Sequence, residues 1–328
     1  MPRTVSRVSY GSRGADLVVV SVSAPPERRA VPGRGPVVVL TANVHGDECT
    51  GTGALLRLLP LLEAQLTQGT VHLYPSLNPD GLERRTRRVP EDDQDLNRQF
   101  PGDAFGSPAE RLAHAAWTDL AARRPDVLID LHADCPGAVP YVLLDRAVSL
   151  RSTARTELEA QARTLAAATG LTVIHEYPDD RYQRFRLDRS LTGAALNRLQ
   201  IPAITIEAGP RLVLDPDAVD LAVRGVLGVL GQLGMVDGGA PVVAPSVAGG
   251  PWRRESGPRA STTGVLVPRV RPGQPLARSA VVAEVRSLAG GLLEEVIAES
   301  AGFVLAPAER AHVVPGVAVC TWATAEVA

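Results

Sequence analysis

The sequence predicts an α/β fold, a mostly parallel, mixed sheet flanked by helices and followed by a small all-β domain. Three observations predict it. Short apolar runs alternate with longer segments of helical period. Each apolar run enters a polar cluster at or just beyond its carboxyl end, where open α/β sheets place their ligands. Beyond residue 238 the alternation gives way to short strands and Pro-Gly turns. With 328 residues the chain suits a catalytic domain over 1–237 and a small β domain over 238–328.

The first apolar run, Leu17–Val22, follows Arg3, Arg7 and Arg13, the approach to which an export signal would conform. Asp16 interrupts it, and Val18, Val20 and Val22 alternate as a strand does. Buried strands are expected at Val37–Leu40, Val71–Leu77, Val127–Leu131, Leu171–Ile174 and Ala203–Ile206. Helices are expected at Pro108–Arg123, with Ser107 and Glu110 as a capping box around Pro108, at Thr153–Thr169 before Gly170, and at Asp217–Leu233. A Gly, Ala and Pro-rich linker, Gly238–Pro251, leads to a pseudo-repeat. In it Gly264-Val265-Leu266-Val267 with Pro272-Gly273 is echoed by Gly302-Phe303-Val304-Leu305 with Pro315-Gly316.

Composition removes several kinds of chemistry. All 34 basic residues are arginine, so no lysine is present to form a Schiff base, serve a phosphate loop or carry biotin or lipoate. The last point excludes a carrier domain for the C-terminal repeat and leaves a β cap that narrows a cleft. No Gly-x-Ser-x-Gly elbow and no Gly-x-Gly-x-x-Gly fingerprint occur. A net charge of −2 argues against nucleic acid, and no stretch reaches the roughly 18 apolar residues that span a membrane. Three scattered cysteines, Cys49, Cys135 and Cys320, read as free thiols in a reducing, cytoplasmic setting.

Five clusters carry the chemistry: His45-Gly46-Asp47-Glu48, Asn78-Pro79-Asp80-Gly81, Asp95-Leu96-Asn97-Arg98, Asp130-Leu131-His132 and Glu207-Ala208-Gly209. His45, Glu48 and His132 make a two-histidine, one-carboxylate set that leaves a fourth position of one Zn²⁺ open, the mark of catalytic zinc. Glu207 is then free to act as base, its basicity expected to be raised by Ile204, Ile206 and Ala208 beside it. Arg98 and Asn97 suit an anionic group of a substrate. Cys49 and Cys135, next to two of these ligands, read as small fillers, and His72, His114 and His175 as ordinary core or surface residues.

The order of these motifs resembles the succinylglutamate desuccinylase and aspartoacylase family within the zinc carboxypeptidase superfamily, over roughly residues 36–235. That resemblance implies a zinc-carboxypeptidase-like fold and a hydrolase of amide bonds acting on a small substrate that bears a carboxylate. It also implies that Asp95 accepts from the ring of His45, and that an arginine upstream of the Asn-Arg pair donates to the oxyanion. The run Arg84-Arg85-Thr86-Arg87-Arg88 offers four candidates, and spacing to Arg98 points to Arg88. Removal of an acyl group from an N-acyl amino acid is the first reading. A metallo-carboxypeptidase or amidase of short peptides is the alternative, and a zinc-binding protein without turnover is the reading outside catalysis. The residues leave open the acyl group and whether the chain forms a homo-oligomer; the loops Pro136–Pro140 and Tyr177–Thr192 are expected to shape specificity.

Overall fold

In a computed structural model whose described residues are 3–10, 15–29, 33–237, 247 and 250–326, the apolar runs become strands of one large mixed sheet. The strands are β1 (Arg3–Tyr10), β2 (Ala15–Ser23), β3 (Val37–Ala42), β4 (Thr70–Tyr74), β5 (Val127–Asp134), β6 (Tyr141–Leu144), β7 (Thr172–His175), β8 (Ala203–Pro210), β9 (Trp252–Ser256), β10 (Gly264–Pro268), β11 (Val281–Arg286), β12 (Leu292–Ile297), β13 (Gly302–Pro307), β14 (His312–Val313) and β15 (Cys320–Ala325). The helices are α1 (Thr50–Gln65), α2 (Pro79–Arg84), α3 (Pro108–Ala122), α4 (Ser152–Ala168), α5 (Asp179–Arg184), α6 (Leu191–Ala194) and α7 (Pro216–Gln232). No helix among the described residues is long and apolar enough to cross a membrane.

The sheet runs β1-β2-β4-β3-β5-β8-β6-β7-β9-β15-β13, and a second sheet runs β12-β11-β10-β14. Pairs β4–β3, β3–β5 and β5–β8 are parallel, and β6 enters antiparallel to β8. The expected strand Val71–Leu77 stops at Tyr74; Pro75, which has no N–H to give, follows. The Ser107–Glu110 capping box forms with both of its hydrogen bonds, and Pro108 opens α3.

Strand period decides which face each side chain joins. Ile129 and Leu131 of β5 and Ile204 and Ile206 of β8 pack under α1, α4 and α7 in one core, while Leu128 and Ala203 turn to the opposite face, covered by α3 and α6. Asp130, His132, Thr205 and Glu207 share the parity of that second face.

The expected linker Gly238–Pro251 lies for the most part outside the described residues. Beyond it the strands divide. β10, β11, β12 and β14 form the small sheet around Leu266, Val285, Val296 and Trp322. β9, β15 and β13 instead extend the large sheet, β9 pairing in parallel with β7 through Ile174 and Trp252. One face of the large sheet therefore continues into the C-terminal region.

Candidate active site

The first cluster occupies the turn between β3 and α1. Asn43 takes a left-handed φ of 57°, and its amide donates to the carbonyls of His45 and Glu48, closing the loop that carries both. Gly46 lies against the backbone of Gly81: a Cβ there would come within 2.1 Å of the Gly81 carbonyl carbon. Asn78 caps α2 by accepting from the Gly81 N–H at 3.0 Å. The Asn-Pro-Asp-Gly motif thus has a mechanical task, to brace the His45 loop.

His45 Nδ1 stands 2.8 Å from Glu48 Oε1, and His132 Nδ1 stands 2.8 Å from Glu48 Oε2. Their donor atoms all lie within 4.8 Å of one another, and no other converging group of three or more occurs among the described residues. Each ring is held from behind: His45 Nε2 by Asp95 at 3.2 Å and His132 Nε2 by Asp130 at 2.8 Å, with Thr41 donating to the other Asp130 oxygen. Two imidazoles backed by carboxylates and one shared carboxylate form a donor set that fits zinc. Burial alone would raise Glu48, but the two imidazoles outweigh it and hold the carboxyl well below its usual range. His45 also keeps Asp95 below that range in spite of burial. Cys49 and Cys135 stay outside, their thiols directed to the carbonyls of Asp47 and Pro307.

A cavity of about 260 Å³ opens beside this cluster. Glu207, the parallel register partner of His132, faces it and receives no hydrogen bond from any described residue. Burial raises its carboxyl to about 8, with His132 opposing and Glu48 and Asp134 adding. The expected apolar surround is corrected by the structure: Ile204, Ile206 and Ala208 pack in the core on the other face, so withdrawal from solvent in a charged cavity replaces them as the cause.

Asp95 accepts from the Asn97 N–H and caps a turn over Leu96–Arg98, so the segment is a 3₁₀ turn. Asn97 and Arg98 both line the cavity. Asn97 Oδ1 accepts from the Leu191 N–H at 2.8 Å, which leaves its NH₂ for a ligand. Arg98 donates to the carbonyls of Phe185 and Asn97 and has no carboxylate at ion-pair distance among the described residues. Burial lowers its guanidinium from the usual value.

Arg88 does not join the site. Its side chain is 54% exposed and pairs with Asp93 at 3.3 Å, because Val89 and Gln94 bridge to each other and turn Asp93 back toward it. The neighbouring Arg87 lies against the His45, Glu48 and His132 cluster and lines the cavity. Its carbonyl accepts from the Gly46 N–H, which fixes the backbone, and its guanidinium reaches Glu48 Oε1 at 2.7 Å.

The rest of the cavity was not expected from the motifs. Tyr141, Leu143 and Asp145 line it at alternate positions on and just past β6, with Glu176 just past β7 and Arg254 on β9. Tyr141 pairs in register with Glu207 and donates to Asp134 at 3.2 Å. Arg254 reaches Glu176 at 3.0 Å. Arg211, another wall residue, bonds to Glu309 of the C-terminal region and lies 3.5 Å from Asp47. The Tyr177–Thr192 loop contributes Leu187, Ser190 and Thr192. For the β6 residues the sequence signal is period 2 in a short apolar run, Tyr141, Leu143, Asp145, and the Tyr177–Thr192 loop is one of the two expected to shape specificity.

Residues 34–233 match the family model described as the Succinylglutamate desuccinylase/Aspartoacylase catalytic domain. The chain is 30% identical over 213 residues to the N-alpha-acetyl-L-2,4-diaminobutyric acid deacetylase of Halomonas elongata, covering 63% of this chain and 57% of that protein, so it spans little more than half of that relative's length. In three dimensions it is similar to a succinylglutamatedesuccinylase/aspartoacylase from Rhodobacter sphaeroides, with TM-score 0.78, 22% identity and 99% and 96% of the two chains covered. It is also similar to an aspartoacylase family protein from Mesorhizobium loti, with TM-score 0.77, 21% identity and 99% and 95% covered. At these identities the two structures speak to fold alone.

Proposed function

Because the chain belongs to the succinylglutamate desuccinylase/aspartoacylase catalytic-domain family, we propose that it is a zinc-dependent amidohydrolase that removes the acyl group from an N-acyl amino acid or related small amide. The observation that carries this reading is Glu207: a carboxylate beside the His45, Glu48 and His132 donors, open to the cavity and committed to no other partner. A structural metal site has no use for such a group; a hydrolytic one requires it.

His45, Glu48 and His132 would hold one zinc ion, which when bound supplies Lewis acidity to the acyl carbonyl and to water. Glu207 then takes the proton of the attacking water and delivers it to the leaving nitrogen, the two transfers that amide hydrolysis needs. Arg87 faces the carbonyl oxygen and offsets the charge that grows on it. Arg98 and the Asn97 NH₂ hold the substrate carboxylate and so fix the scissile bond against Glu207. Asp95 and Asp130 keep the two rings in one orientation. The cytoplasm suits the three free cysteines.

The cavity favours a small substrate over a peptide. At about 260 Å³ it falls under the ~300 Å³ at which small-molecule sites usually begin. The deacetylase of Halomonas elongata, by its name, acts on an acetylated amino acid. The test is a panel of acetyl-, succinyl- and formyl-amino acids with released amine as the signal. Turnover should vanish with a chelator and return with zinc, and Arg98→Ala should lose its penalty on substrates whose carboxylate is replaced by a neutral amide. Efficient release of C-terminal residues from tetrapeptides would favour a carboxypeptidase instead.

A further inference from the structure

Five carboxylates are buried among the described residues: Glu48, Asp130, Asp145, Glu176 and Glu284. Four have a cationic or imidazole partner at ion-pair distance, namely Arg87 with both histidines, His132, Arg254 and Arg286. Asp145 has none. Only 8% of it is exposed, and the Tyr182 hydroxyl donates to its Oδ1 at 2.7 Å. A hydroxyl stabilises a carboxylate but does not neutralise it, and an unpaired buried charge is costly. Burial beside Glu176 accordingly raises Asp145 to about 6. Asp145 is also a wall of the cavity; the Arg98 charge opposes the rise from beyond ion-pair distance, and the open space beside Asp145 is the space a substrate fills.

The position fits such a role. Tyr141 lies at the level of Glu207 by register, and Asp145 follows four residues later along the same extended stretch. That is roughly 13 Å of strand, so a group that reaches Asp145 from the reacting bond stands at the end of a chain of several bonds. Glu176, the other acid at this end, is already neutralised by Arg254. Arg98 is the complementary case, a half-buried cation in the same cavity without a carboxylate at ion-pair distance among the described residues. A ligand that satisfies both carries one carboxylate and one distant cation.

We propose that Asp145 is a substrate-binding residue that receives a side-chain ammonium, so that the substrate is an N-acyl amino acid with a cationic side chain. This rests on the acyl amino acid reading above and narrows it.

The test compares N-acetyl-L-ornithine and N-acetyl-L-lysine with N-acetyl-L-norvaline and N-acetyl-L-norleucine, which match their carbon chains without the charge. The wild-type enzyme should prefer the cationic pair in kcat/KM. Asp145→Asn, which keeps the shape, should lose roughly 30-fold or more on that pair, the usual cost of breaking a buried charge pair, and little on the neutral pair. Independently of turnover, free ornithine should raise the melting temperature of the wild-type protein more than norvaline does, and Asp145→Asn should abolish the difference. Equal wild-type rates on charged and neutral substrates, or equal losses on both in the variant, overturn the subsite. Turnover of none of the four with the ornithine-specific stabilisation intact would count against the amidohydrolase reading and leave Asp145 as a cation receptor. If Asp145→Asn does not fold, the wild-type substrate preference and the ornithine–norvaline difference decide.

Discussion

Asp130 grips His132 from behind, 2.8 Å from the ring nitrogen that faces away from Glu48, and its second oxygen takes the Thr41 hydroxyl at 2.7 Å. The two residues stand two apart on β5, so strand geometry itself sets them on one face. Asp130→Ala should therefore weaken zinc binding about 10- to 100-fold, the usual loss when the group orienting a ligand histidine is removed. The melting temperature should fall as well, since Thr41 and His132 stay buried with a bond missing. Zinc affinity by chelator competition checks this; an unchanged value would show that the ring is oriented by something else.

Arg87 and Arg88 are neighbours with opposite fates, one against Glu48 and the other against Asp93 at the surface. Arg87→Ala should lower kcat by about 10² to 10³, the range seen when one donor to a developing oxyanion is lost, with part of the effect from freeing Glu48. Arg88→Ala should change kcat and stability little, as exposed ion pairs contribute ~0–1 kcal/mol. Steady-state kinetics on the two variants side by side decide which arginine serves the reaction, and the reverse ranking would restore Arg88.

What was legible in the chain is what short-range rules encode. The β3, β5 and β8 runs, the Ser107–Glu110 cap and the order of the polar clusters all follow from spacing within a few residues. The helix α1 is harder to see because Gly51, Gly53 and Pro60 lower its local propensity; it forms because Ala54, Leu55, Leu58 and Leu62 pack on the sheet, and Gly51 allows the helix close against Leu131. The choice between Arg87 and Arg88 depends on a bond from Gly46, distant along the chain, and no local pattern carries it. Asp145, Glu176 and Arg254 meet only because β8, β6, β7 and β9 lie side by side, an order that sequence position does not reveal.

Asp145 makes a forecast about pH. Its ordinary value is 3.8 and burial beside Glu176 raises it to about 6. The folded protein thus holds this proton more tightly than the unfolded chain, so wild-type stability falls as pH rises from about 4 to about 6 and the effect is complete above that. Asn at this position does not titrate. The melting temperature of Asp145→Asn minus that of wild type should therefore climb between pH 4 and pH 6.5 and then level off, while Glu176, Tyr182, Arg98 and Arg254 face the position in both proteins and largely cancel. A difference that stays constant from pH 4 to pH 7.5 would mean an ordinary, solvated carboxylate.

Glu207 offers the separation of chemistry from metal binding. It sits between His132 and Tyr141 in register, on the cavity face of β8, and no described residue hydrogen-bonds it. A group so placed is free to accept a proton, and its basicity, raised to about 8 by burial, makes the carboxylate a stronger base than an ordinary one. Glu207→Gln keeps the shape and loses only the ability to take the proton. Turnover should fall by roughly 10² to 10⁴, the usual contribution of a positioned general base, while zinc content and melting temperature remain near wild type. A fourth ligand in a closed metal site would behave in the opposite way, with metal lost and stability lowered. Zinc analysis, melting temperature and rate on this single variant distinguish the two, and full activity in Glu207→Gln would remove the residue from the reaction.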